Sequence, residues 1–184
     1  MEPIVNRVAE SQIDVFNLDD FWDGKPVVSF DIAPFLYEGL ILREKEFRAE
    51  VAEHDWSQYV DKHVAIDCSA DAIVPTWASM LVATMLEPHA ASVAHGSASD
   101  LIRDHYAREL GAFEWSQYED KIVVIKGCGG STVPQAAYVA ATTQLKKVAR
   151  KVMFGEPCSS VPLWRKPRAA KASTASVKAA VKPA

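Results

Sequence analysis

The chain has 184 residues, 49% of them apolar and 24% charged, the make-up of an ordinary globular protein long enough to bury a real core. Its net charge is −4, but residues 165–184 hold six bases and no acid, leaving 14 bases against 24 acids in the remainder. An acidic body argues against nucleic acid as the main partner, because phosphate contacts need clustered Lys and Arg. The opening MEPIVNRVAE has no basic stretch followed by an apolar run, so no secretory signal is expected. The longest apolar stretch, 14 residues from Ile73 to Leu86, is broken by Pro75 and falls short of the roughly 20 residues that span a bilayer. No membrane partner is therefore expected. Three cysteines cannot all pair within the chain, which favours a reducing cytoplasm with free or metal-bound thiols.

In chain order, residues 26–32 (PVVSFDI) predict a strand ended by Pro34, and residues 34–54 predict helix, weakened near its middle by Gly39. His63–Ile66 predicts a short apolar strand, followed by a loop and a helix that Pro75 opens and that runs to about Glu87. Residues 90–95 predict an Ala-rich strand. Ser99 or Asp100 is expected to cap a helix over LIRDHYAREL that ends at Gly111. Residues 121–126 (KIVVIK) form the clearest strand. Val133-Pro134 opens a helix to about Lys147, and residues 150–154 predict the last strand, after which GEPCSSVP is expected to leave the sheet.

One segment occurs twice, 59 residues apart. WSQYVDKHVAIDCSADAIVPTWASMLVAT (Trp56–Thr84) aligns without a gap to WSQYEDKIVVIKGCGGSTVPQAAYVAATT (Trp115–Thr143), with 12 of 29 positions identical. A match at fixed spacing implies a repeated supersecondary unit, here helix–strand–loop–helix–strand over residues 46–96 and 105–155. The expected architecture is a single three-layer α/β domain over residues 1–165, built on an internal duplication, with a mostly parallel sheet of about five strands. Residues 166–184, rich in Ala, Lys, Ser and Pro, are expected to form a basic disordered tail.

Each cysteine follows a predicted strand: Cys68 after 63–66, Cys128 after 121–126, Cys158 after 151–154. In a parallel sheet such loops share the carboxyl edge, where ligands bind. Three thiolates there suit a transition metal, zinc or iron, or an iron–sulfur cluster. Asp67, Asp71 or His95 is a candidate fourth ligand, although an Asp near a helix start is more often a cap. Gly127, Gly129 and Gly130 allow close backbone approach, and the amides up to Ser131 could cradle an anion; the Gly-Lys-Ser/Thr ending of a nucleotide loop is missing. Two other readings stay open. One cysteine could be a nucleophilic or redox thiol of a transferase or reductase, although no Cys-x-x-Cys is present. Alternatively, the cysteines are small buried apolar residues. The apolar helices also allow a non-catalytic homo-oligomeric interaction module. No Gly-x-Ser-x-Gly elbow supports Ser-His-Asp hydrolysis. The histidines, His63 included, are expected at the surface. Trp56, Tyr59, Trp115 and Tyr118 are expected to be core plugs with polar tips near solvent.

FDIAPFLYEGLILREKEFR, CSADAIVPTWASMLVA, KIVVIKGCGGSTVPQAAYV and VMFGEPCSSVP together resemble the signature blocks of a bacterial domain-of-unknown-function family, number 2480, over about residues 2–166. The resemblance implies no activity. It does imply an association with sulfur-mobilisation iron–sulfur assembly, and so makes iron–sulfur assembly proteins the expected partners.

Overall fold

The computed structural model describes residues 13–127 and 132–167. Seven strands and four α-helices follow in the order β1 (Ile13–Phe16), β2 (Val27–Asp31), α1 (Glu44–Glu53), β3 (His63–Asp67), α2 (Thr76–Leu86), β4 (Ser92–His95), α3 (Ala98–Ala112), β5 (Ile122–Lys126), α4 (Gln135–Val148), β6 (Lys151–Glu156) and β7 (Ser159–Arg165). The chain is mixed α/β, as expected, but the strands do not form one five-stranded sheet. They form a three-stranded sheet, β2-β3-β4, and a four-stranded sheet, β1-β5-β6-β7. Every neighbouring pair is parallel except β6–β7.

The two sheets share several local features. Each WSQY forms a short 3-10 helix, with Asp55 or Glu114 at its N-cap accepting the Ser57 or Ser116 amide. Each indole N–H donates to the carbonyl five residues earlier, Trp56 to Val51 at 3.0 Å and Trp115 to Leu110 at 3.1 Å. These polar tips are therefore tied to backbone rather than left to solvent. Asp61 and Asp120 both adopt left-handed backbone, φ 57° and 54°, which Asp tolerates better than most residues. Their amides donate to His89 and Val148, again 59 positions apart.

What the WSQY motif packs against comes from outside the repeat. Phe30 of β2 stands opposite Ile66, and Phe16 of β1 stands opposite Ile125, the matching position. The Phe30 ring lies 5.3 Å from Trp56 and 6.1 Å from Tyr59. The Phe16 ring lies 5.3 Å from Trp115 and 5.7 Å from Tyr118. A strand that precedes both repeats thus supplies each aromatic cluster with its centre.

Two cores result. The first joins Phe30, Val64 and Ile66 to Phe47 and Val51 of α1 and to Ala78, Val82 and Leu86 of α2. The second joins Phe16, Val123, Ile125 and Val152 to Ala141 and Leu145 of α4 and to Tyr106 and Leu110 of α3. Side chains alternate along a strand, so His63 and Ala65 face away from the first core. That second face receives α3, which also touches α4. Helix α3 is therefore shared between the two sheets. It starts at Ser97, earlier than expected, in a reciprocal capping box with Asp100.

Several expectations change. The region 34–54 is a 3-10 turn at Ala33–Phe35, a bend with left-handed Glu38 and Gly39, and then α1 alone. Strand β1 was not expected. GEPCSSVP does not leave the sheet: it turns at Pro157-Cys158 and returns as antiparallel β7. Pro75 and Pro134 sit at the N-cap, one residue before the first helical position. The proposed tail from residue 168 onward lies outside the described residues. No described helix is long and apolar enough to cross a membrane.

Candidate functional site

The strand-end loops are built differently in the two sheets. After β3, Asp31 of the neighbouring strand clamps the cysteine loop. Its carboxylate accepts the Ser69 amide at 2.9 Å, the Ser69 hydroxyl at 2.6 Å and the Ala33 amide at 2.9 Å. The hydroxyl bond is the largest influence on this acid; with the two amides it outweighs burial and holds the carboxyl below its ordinary range. Cys68 is half-buried against the first core, its amide donating to the Asp67 carboxylate and its thiol 3.6 Å from the Ala70 carbonyl.

At the other sheet, Gly127, just past β5, touches Gly155, near the end of β6. The Gly127 amide donates to the Gly155 carbonyl at 3.3 Å. A side chain at Gly127 would stand 3.0 Å from Gly155 Cα, and one at Gly155, where φ is +120°, would stand 2.8 Å from the Ser159 carbonyl oxygen. Cys158 is exposed at the tip of the β6–β7 hairpin.

The expectation of one common edge for three thiols rested on one sheet. With two sheets, Cys68 belongs to the three-stranded sheet, whereas β5 and the hairpin bearing Cys158 belong to the four-stranded sheet. Cys128, Gly129, Gly130 and Ser131 lie outside the described residues. Among the described residues, no group of three His, Cys, Asp or Glu side chains is arranged to hold a metal. Gly127 is described, and its backbone approaches Gly155 of the neighbouring strand.

A second centre was missed from sequence. His63 is 2% exposed, not at the surface. Its Nε2 lies 2.9 Å from Asp23 Oδ1, and its Nδ1 lies 2.7 Å from Ser92 Oγ. A carboxylate only accepts, so Nε2 carries hydrogen, and Nδ1 and the Ser92 hydroxyl form the second bond. Burial is the largest influence on Asp23 and opposes its charge. The bonds from His63 and the Lys25 amide, with the electrostatic attraction of His63 and Lys25, outweigh it and hold the carboxyl below its ordinary range. The Trp22 ring lies 4.8 Å from His63 and 4.9 Å from His105, and stacks at 6.4 Å on Tyr106. The Tyr106 phenol is enclosed without a hydrogen-bond partner among the described residues, and burial pushes it up to about 12. The one sequence signal for this centre was His63 opening an otherwise apolar strand.

These observations define a two-sheet α/β protein whose signature loops all follow parallel strands. The chain belongs to a protein family of unknown function, DUF2480, whose model matches residues 2–166. No curated protein and no solved structure matches it.

Proposed function

We propose that the chain binds zinc, iron or an iron–sulfur cluster through its strand-end thiols, with Cys128 and Cys158 as the principal pair and Cys68 as a third ligand. The supporting observation is the contact of Gly127 with Gly155. It brings the ends of β5 and β6 together one residue before Cys128 and three before Cys158. Thiolates are soft donors suited to these metals. The reading implies a reducing compartment such as the cytoplasm and iron–sulfur assembly proteins as partners.

The test is anaerobic purification of the full chain, followed by metal analysis and visible absorption. Metal above background, lowered by Cys128→Ser or Cys158→Ser and less by Cys68→Ser, supports the reading. Background metal in the wild type, or content unchanged by substitution of all three cysteines, removes it. The exposure of Cys158 favours a second reading, thiol chemistry by a transferase or reductase. That reading expects Cys158 to react with iodoacetamide at neutral pH far faster than Cys68. Val161 and Leu163, exposed on the edge strand β7, are the surface a homo-oligomer would use.

A further inference from the structure

A cavity of about 570 Å³ opens where β1 passes into the turn Leu18–Phe21, against α3 and the segment 113–118. Among the described residues no cysteine lines it, and its chemistry is one-sided. Asp20, Asp23 and Glu109 line it, and among the described residues no Lys or Arg does. Asp20 accepts a bond from Asn17 at 2.8 Å, and Asp23 is shared with His63 and with Lys25, whose Nζ is 4.0 Å away. Glu109 has no hydrogen bond or ion pair among the described residues. The apolar part of the wall is aromatic, with Phe21, Trp22 and Phe113 among the lining residues.

His105 adds a third requirement. It is 8% exposed, lines the cavity, and places Nε2 2.8 Å from the Phe21 carbonyl oxygen. A carbonyl only accepts, so Nε2 carries hydrogen, and in the neutral form of the ring Nδ1 is an acceptor. No described residue donates to Nδ1. Among the described residues, Tyr106 Oη is the one fully enclosed side-chain polar atom without a partner. Nδ1 is therefore not sealed, and His105 is among the residues that line the cavity.

We infer that this cavity binds an organic cation with N–H donors, a primary ammonium or a guanidinium. Three carboxylates attract the charge, aromatic faces stabilise a cation laid against them, and Nδ1 accepts an N–H. A quaternary ammonium keeps the charge and lacks the donor. An organic anion meets three like charges. The inference does not depend on the thiol reading, and its test leaves the cysteines untouched.

The probe is agmatine, titrated into the full chain by calorimetry and by tryptophan fluorescence, with Trp22→Phe to isolate the cavity's indole. Saturable binding is expected, weakened about threefold to tenfold by Glu109→Gln and further by Asp20→Asn/Glu109→Gln. Rising salt should weaken it in the wild type, a readout that needs no variant. Tetramethylammonium should bind at least about tenfold more weakly, and glutarate should not compete. No saturable signal at about 10 mM agmatine overturns the inference. So does affinity that is indifferent to salt, or equal affinity for glutarate.

Discussion

Asp31 offers the sharpest test of how the Cys68 loop is held. Replacing it with Ala removes the acceptor of three bonds, from the Ser69 amide, the Ser69 hydroxyl and the Ala33 amide. Fully buried, bonds to a charged group contribute about 1.5–3 kcal/mol each. Asp31 is only half-buried and Ser69 is exposed, so water recovers much of that. The expected cost is about 2–3 kcal/mol, a fall in Tm of roughly 5–10 °C for a chain of this size. Asn keeps a carbonyl oxygen for both amides and can donate to the Ser69 hydroxyl, so Asp31→Asn should cost about 1 kcal/mol. The pH dependence follows from the lowered folded-state acidity. The charge contributes fully above the unfolded value of about 3.9 and is lost as pH falls through the lower folded value. Urea unfolding of all three proteins from pH 7 to pH 3 reads both effects. Wild type and Asp31→Asn should converge at the acid end. Equal costs for Asn and Ala, or a wild-type advantage that does not change with pH, would refute the clamp.

Because Phe16 and Phe30 occupy matching positions, Phe16→Ala and Phe30→Ala should each cost about 3–5 kcal/mol in urea unfolding, and a difference above about 2 kcal/mol would break the equivalence. Gly155→Ala adds left-handed strain to its close contact and should cost at least about 2 kcal/mol, whereas Gly127→Ala, with only the contact, should cost about 1–2 kcal/mol by the same measurement. Ser97→Ala should cost about 1 kcal/mol and lower the hydrogen-exchange protection of the first turn of α3.

What the sequence revealed tracks how local the physics is. The β-branched runs at 63–66 and 122–126 and the Val-Pro helix starts carry their own conformational preference, and all were readable. Strand β1 was not readable, because four residues, Ile13-Asp14-Val15-Phe16, become a strand through pairing with β5. Strand β7 carries Ser and Pro and exists because β6 templates it. The split into two sheets depends on strand order, which periodicity does not encode. Cys68 was expected after β3 and lies there, while its separation into a different sheet from Cys158 was hidden for that reason. His63 looked like a surface residue because Asp23 and Ser92, which satisfy it, are 40 and 29 positions away.

The position of β1 orders the assembly of the chain during synthesis. Every strand of the three-stranded sheet has left the ribosome by His95, so that sheet can close early. Phe16 is made before any of it, yet its ring partners Phe113, Trp115 and Tyr118 emerge about a hundred residues later. Strand β1, made before the rest of its sheet, is therefore among the last of the described strands to be paired. Until β5 arrives it is an unmatched edge, and chaperones or a second nascent copy would meet the protein there first.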